Sequence, residues 1–468
     1  MKIALVWPFG FDVKYVMPLA MGYLKSNLGE EHDVKIIDCS LNNIAANSDE
    51  FAKNIQNFNP DIICVSSWSS TYREAIQALK VAKQLNSNVI TILGGAHATT
   101  YSHYIIQREK HIDFIFRGEA ELSFPKFVEK LEDGNHDFSQ IKGLAYVDKK
   151  GNLVQNEMDR IENLDMIKIP DYGEMKLQEY IKHGYRLSTT HSRNAPIWLT
   201  RGCPYRCQFC SASILNGKVI RAHSIEYAIR WIRYLHDEEK IEHINIIDDN
   251  FTFDLNYAKN FCKAVIDDGL DITIETPNGI RMQRLDDKLC ALMKKAGWES
   301  LVIAPESGSV HTLKIMKKDF IKPETVPDTV KMIKKHGLKV HGFFILGYPG
   351  ETKKDLQLTL NLLRRSNLDF FTLSNFQPIP GTPIFDELVN EGKITNDLLP
   401  KNYSDGERAY TPKELADINF PRVVLMEYLR SYIKNPSKLF YTLKIFSPQL
   451  LVKKIFKNFK NILNKKRV

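Results

Sequence analysis

Short β-branched runs alternate with longer amphipathic stretches twice along the 468 residues, and this alternation limits the fold more than any other feature. In the first series KIALVW, DVKIID, DIICVSS and VITILGG are separated by helix-length segments near residues 19–28, 50–58 and 72–85. Continuous apolar runs suit strands buried on both faces, so the order predicts a parallel, doubly wound sheet over residues 1–140. A second series, APIWLT, HINIID, DITIET, SLVIAP, VHGFFIL and FFTLSNF, predicts a partial (β/α)6 barrel of TIM type over residues 194–390. Between them, residues 141–193 read as a connector with a hairpin signal at Asp148-Lys149-Lys150-Gly151. Residues 391–468 read as a helical C-terminal region ending in a basic amphipathic tail. The fold class is α/β.

The apolar content of 43% is enough for sizeable cores, and the length calls for more than one. No run of about 18 apolar residues occurs, so no spanning helix is expected. The start, MKIALVWPFG, has no small-residue cleavage site and reads as a first strand. After Glu427 the chain carries eleven lysines and arginines and no acid, which exceeds the whole chain's net charge of +8. The body before it is therefore slightly acidic, and a nucleic-acid partner is not expected.

Seven cysteines is an odd number, and three of them fall within eight positions: Cys203-Pro-Tyr-Arg-Cys207-Gln-Phe-Cys210. That crowding suits metal ligation in a reduced, oxygen-poor cytoplasm better than disulfides. The motif directly follows the first barrel strand, where a TIM-type barrel collects its chemistry. Three thiolates on an iron–sulfur cube leave one iron without a protein ligand. The alternative is a zinc site completed by His191 or His223, although a structural zinc usually draws on paired cysteine knuckles and no second pair exists.

CPYRCQFC resembles the signature of the radical S-adenosylmethionine superfamily, including Phe209 just before the third cysteine. The resemblance implies a four-iron, four-sulfur cluster on Cys203, Cys207 and Cys210, with S-adenosylmethionine chelating the open iron and Phe209 near its adenine. It continues through Asp248-Asp249 at the end of HINIID, which would meet the methionine ammonium. It extends to Glu306-Ser307 at the end of SLVIAP, implied to contact ribose and carboxylate, and to Gly347 after VHGFFIL, implied to lie against adenine. For the Asp pair, an ordinary helix cap is the competing reading. For Glu306 it is a solvated turn.

A doubly wound domain ahead of such a core resembles the cobalamin-binding domain of cobalamin-dependent radical S-adenosylmethionine enzymes. Ser66-Ser67 after the third strand and Gly94-Gly95 after the fourth are the implied cobalamin contacts, followed by Arg117-Gly118-Glu119-Ala120-Glu121. The first βα loop, Trp7-Pro8-Phe9-Gly10-Phe11-Asp12, offers no histidine to cobalt, and His97 reads as a loop residue near the nucleotide.

The resemblance implies methyl transfer to an unactivated carbon or phosphorus of a small-molecule or lipid substrate, served by an electron donor such as flavodoxin or ferredoxin. A radical cyclase or rearrangement enzyme, and a non-catalytic nucleotide- or metal-binding protein, are the alternatives. From Pro448 onward, Leu451, Ile455, Phe459 and Ile462 recur at helical spacing among lysines, which predicts a helix able to lie on a membrane surface; an amphipathic helix docked on the barrel, or a disordered basic tail, is the competing reading.

Overall fold

The structure is a computed structural model that describes residues 1–187, 191–395, 410–436 and 438. The chain forms two compact units. The first comprises Met1–Leu187, Arg193–Asn250 and Pro378–Glu407, and the second Ser188–Ser192, Phe251–Gln377 and Arg408–Val468.

The first unit opens with β1 (Lys2–Trp7), α1 (Leu19–Asn27), β2 (Asp33–Asp38), α2 (Asp49–Phe58), β3 (Ile62–Ser66), α3 (Tyr72–Leu85), β4 (Ile90–Gly94), α4 (Gly95–Arg108), β5 (Phe114–Phe116) and α5 (Ser123–Glu132). The hairpin β6 (Leu144–Val147) and β7 (Leu153–Gln155) follows. The sheet order is β2-β1-β3-β4-β5-β6-β7, parallel through β5 and antiparallel after it. The hairpin thus extends the sheet into residues that read as a connector. Its turn closes at Gly151, whose φ of +83° favours glycine.

Every residue of β3 is buried, as its unbroken IICVS requires. The alanine-rich stripe of α3, with Ala75, Ala78, Leu79 and Ala82, packs with Phe51 and Ile55 of α2 in one core. Because β1 pairs with both β2 and β3, the winding reverses there, and the position beyond the carboxyl ends of β1 and β3 is where such sheets take their ligands.

The first unit continues through α6 (Leu177–Lys182), β8 (Asn194–Ile197), β9 (Thr200–Arg201), α7 (Ala212–Leu215), β10 (Arg221–Ala222), α8 (Ile225–Asp237) and β11 (His243–Ile246). Strands β8 and β11 pair in parallel, Asn194 opposite His243 through Ile197 opposite Ile246. Helix α8 buries Trp231 completely, and Ser224 caps it by accepting from the Tyr227 N–H.

The second unit holds α9 (Leu255–Asp268), β12 (Thr273–Glu275), α10 (Asp287–Lys295), β13 (Ser300–Glu306), α11 (Val310–Ile315), α12 (Val326–Lys335), β14 (Lys339–Leu346), α13 (Lys353–Arg365) and β15 (Phe370–Asn375). Strands β13, β14 and β15 form one parallel sheet in chain order. All six segments of the second βα series are therefore strands. Helix α14 (Pro383–Asn390) belongs again to the first unit and α15 (Phe420–Lys434) to the second. The basic tail from Pro448 lies outside the described residues. No helix among them is long and apolar enough to cross a membrane.

Candidate functional site

The cysteine loop is pinched at its base. Strands β9 and β10 pair antiparallel, Arg201 opposite Arg221 and Thr200 opposite Ala222, and the loop runs between them. Inside that neck the Cys203 N–H donates to the Gly217 carbonyl at 2.9 Å, and the Cys210 N–H to the Cys207 carbonyl at 3.2 Å. Gly202 has φ +102°, and a Cβ there would stand 2.2 Å from the Val219 carbonyl oxygen, so only glycine fits ahead of the first cysteine.

Cys203, Cys207 and Cys210 are partly exposed and in no disulfide, whereas Cys39, Cys64, Cys262 and Cys290 are buried. Burial pushes the thiols of Cys39 and Cys262 up to about 12 and that of Cys290 to about 11, which keeps them protonated and poor ligands. The donor set that suits a cluster is thus the loop trio. Among the described residues no three His, Cys, Asp or Glu stand where one metal ion could take them all. A cluster makes a different demand, because each thiolate takes its own iron. His223, one candidate fourth ligand for zinc, is buried, lies 3.1 Å from Asp165 through Nδ1 and stacks on Tyr227 at 4.1 Å. His191 Nε2 lies 3.0 Å from Glu299.

Asp248 follows β11 and is buried. Its Oδ1 accepts from the Leu199 N–H at 2.8 Å, and its Oδ2 from the Thr200 N–H at 2.9 Å and the Thr200 hydroxyl at 2.7 Å. Burial pushes its carboxyl up to about 7, and these hydrogen bonds pull against that rise. Asp248 therefore ties the end of β11 to the segment leading into the cysteine loop. Asp249 accepts from Asn216 Nδ2 at 2.7 Å through Oδ2. Phe209 is half-buried beside Gln208, whose carbonyl accepts from the Ile384 N–H of α14.

In the second unit Glu306 sits where the β13–β14 register shifts, with φ +61°. A non-glycine residue in the left-handed region at a bulge is a strain that often marks a functional position. Its Oε1 accepts from Lys318 Nζ at 2.6 Å. Ser307 is fully buried and its hydroxyl is 2.9 Å from that of Thr359. Gly347 has φ +77° and donates its N–H to Glu351 Oε2 at 2.5 Å, which turns the chain after β14. Glu351 ends the glycine-rich stretch Gly347-Tyr348-Pro349-Gly350-Glu351, where sequence reasoning gave the acid no role; its burial and its contact with the Gly347 N–H supply one.

At the carboxyl ends of β3 and β4 Ser66 and Ser67 are buried, and the Ser67 N–H and hydroxyl both donate to the Gly94 carbonyl at 2.9 Å. The two glycines differ. A Cβ on Gly95, at φ +89°, would lie 2.6 Å from the Ser67 carbonyl oxygen, while one on Gly94 would meet only the Phe116 carbonyl oxygen at 4.0 Å. Gly95 packs strand end to strand end, and Gly94 leaves open space. Trp7 stacks on Phe11 at 4.1 Å, and half-exposed Trp68 stands edge-on to Phe11 at 5.1 Å. His97 is buried between Tyr72 and Tyr101, with Nδ1 3.0 Å from Ser69 Oγ. Small residues at the ends of β3 and β4, space above Gly94 and a buried His97 fit a flat cofactor bound without imidazole on its metal.

Residues 197–363 match the Radical SAM superfamily model, and residues 13–128 match the B12 binding domain model. An uncharacterized methyltransferase of Pyrococcus horikoshii, PH0819, is 32% identical over 98% of this chain and 95% of its own. Cytidylyl-2-hydroxyethylphosphonate methyltransferase of Streptomyces wedmorensis is 26% identical over 84% of this chain and 77% of its own. The fold is like that of the radical S-adenosylmethionine methyltransferase TsrM of Kitasatospora setae, solved with cobalamin and an iron–sulfur cluster bound. The TM-score is 0.70 at 14% identity, over 83% of this chain and 75% of that one.

Proposed function

The chain belongs to the cobalamin-dependent radical S-adenosylmethionine methyltransferase family, and on that premise we propose that it methylates an unactivated carbon or phosphorus centre of a small-molecule or lipid substrate. Its cofactors are a four-iron, four-sulfur cluster, S-adenosylmethionine and cobalamin. When bound, they supply an electron, a radical precursor and a transferable methyl group.

The protein's share is ligation, orientation and exclusion of water. Cys203, Cys207 and Cys210 would hold the cluster, and one observation carries this reading: they alone combine partial exposure with a closed loop, while the other four thiols are locked in cores. Phe209 would pack beside the adenine. Of the aspartate pair, Asp249 is the better acceptor for the methionine ammonium, because both oxygens of Asp248 are engaged by Leu199 and Thr200. Glu306 would accept from ribose hydroxyls, Ser307 would fix the strand end behind it, and Gly347 would let backbone approach the base. Gly94 would lie under cobalamin, with Gly95, Ser66 and Ser67 holding its floor together.

A small electron donor such as flavodoxin or ferredoxin would reduce the cluster. The basic segment after Pro448 would bring the enzyme to an anionic membrane surface, each lysine or arginine adding about 1 kcal/mol. Anionic vesicles should pellet the full chain at low salt and not a chain ending at Ser447. Equal sedimentation of the two removes that surface role.

The test of methyl transfer uses anaerobically reconstituted, cobalamin-loaded enzyme with a reductant and S-adenosylmethionine labelled in its methyl group. Label should pass to the cobalamin fraction with release of S-adenosylhomocysteine. Label that stays on S-adenosylmethionine would refute the reading.

A further inference from the structure

The first unit buries two arginines and two glutamates together: Arg201, Arg221, Glu119 and Glu121. Arg221 forks onto Glu119, Nη1 to Oε2 at 2.7 Å and Nη2 to Oε1 at 2.6 Å. Glu119 Oε2 also accepts from the Ile161 N–H at 2.9 Å. The Arg221 guanidinium donates further to the carbonyls of Ile161 and Asn216, each at 2.8 Å. Arg201 Nη2 lies 2.7 Å from Glu121 Oε1, and Nη1 lies 3.8 Å from Glu119 Oε2. The closer of these contacts is poorly aligned for a hydrogen bond, so charge attraction holds it. The Arg201 guanidinium also rests over the Trp198 ring at 4.4 Å.

Arg201 and Arg221 are direct cross-strand partners in the two-residue ladder of β9 and β10, and the cysteine loop hangs from that ladder. Like charges placed opposite each other repel, and a ladder this short cannot resist them alone. Both counter-charges arrive from one segment, residues 117–121, which follows β5 of the N-terminal sheet. Asn216, held by Arg221 through its carbonyl, in turn donates to Asp249. The clamp and the loop are thus one connected framework.

We propose that Glu119 and Glu121 are positioning residues for the iron–sulfur cluster: by pairing with Arg221 and Arg201 they anchor both ends of the cysteine loop to residues 117–121 and set the spacing of its three thiolates. This rests on the assignment of the cluster to Cys203, Cys207 and Cys210. The carboxylates act through the two arginines, and the cobalamin-binding domain thereby takes part in building the cluster site.

The experiment compares wild type, Glu119→Gln, Glu119→Asp and the double variant Glu119→Met with Arg221→Met, all reconstituted anaerobically with iron, sulfide and cobalamin. Iron per chain and the electron paramagnetic resonance of the reduced cluster report the site, while bound cobalamin reports the folding of the N-terminal sheet. Glu119→Gln should keep its cobalamin and lose iron by about tenfold or more, the scale on which residues supporting metal ligands act. Glu119→Asp, which keeps the charge, should recover much of the iron. The double variant leaves neither charge unpaired and should fold, yet its cluster should be depleted or its resonance altered. Iron and resonance at wild-type values in Glu119→Gln, or in the double variant, overturn the proposal. So does parallel loss of iron and cobalamin in Glu119→Gln with a wild-type cluster in the double variant, which leaves only a fold-stabilising charge. Wild type without iron would instead remove the cluster assignment itself.

Discussion

His97, His223 and His341 are each pulled down to about 4 by burial, and Asp248 is pushed up to about 7 by the same cause. An imidazole whose folded value lies below its unfolded value of about 6.5 holds fewer protons in the native chain between pH 6.5 and 4. Its contribution is complete above that window and is lost as pH falls through it. Asp248 works the other way, since the native chain holds its proton between about pH 4 and 7 and pays more for burial as pH rises. Burial also raises Asp38, Asp249 and Asp386 in the direction of Asp248, but of the large shifts in this window three are imidazoles and one is a carboxyl, which predicts a net loss of stability on acidification. Tm should fall between pH 7 and 5, His97→Gln should flatten that slope, and a Tm that is level or rises toward pH 5 contradicts the balance. On the same scale, replacing Cys203, Cys207 or Cys210 with alanine should remove the cluster, with iron per chain as the measure.

At the scale of single elements, two adjacent glycines separate packing from ligand space. Gly95→Ala forces a Cβ to 2.6 Å from the Ser67 carbonyl oxygen at a positive φ and should lower Tm clearly, the strain costing more than about 1 kcal/mol of stability. Gly94→Ala meets nothing closer than 4.0 Å and should leave Tm nearly unchanged while weakening cobalamin binding. Parallel effects of the two substitutions on Tm and on cobalamin would deny the distinction. In helix α13 the Thr352 hydroxyl accepts from the Asp355 N–H and the Asp355 carboxylate accepts back from Thr352, so Thr352→Ala should cost about 1 kcal/mol in urea unfolding.

The elements were readable because burial of both faces writes strands such as IICVS as continuous apolar runs, and because three cysteines in eight positions admit few chemistries. The hairpin of β6 and β7 was visible as a turn, but its joining the N-terminal sheet was not, since pairing to β5 depends on partners distant in sequence. For Asp248 the sequence left two readings open, because an acid after a strand reads the same whether it meets a cofactor or the Thr200 backbone. The Glu119–Arg221 fork, spanning 102 positions, had no local pattern at all.

Across the whole molecule, the two family matches fall on consecutive parts of one chain, and the first compact unit contains both the cobalamin-binding match and the cysteine loop. If Glu119 and Glu121 anchor the cysteine loop as proposed, the N-terminal sheet serves the cluster as well as the cobalamin. The most direct measurement is metal and sulfide analysis of the anaerobically reconstituted protein, with electron paramagnetic resonance of the reduced form before and after S-adenosylmethionine is added. About four iron and four sulfide per chain, with a spectrum that changes when S-adenosylmethionine binds the open iron, is the predicted result. Bound zinc in place of iron, or a cluster spectrum indifferent to S-adenosylmethionine, would contradict it.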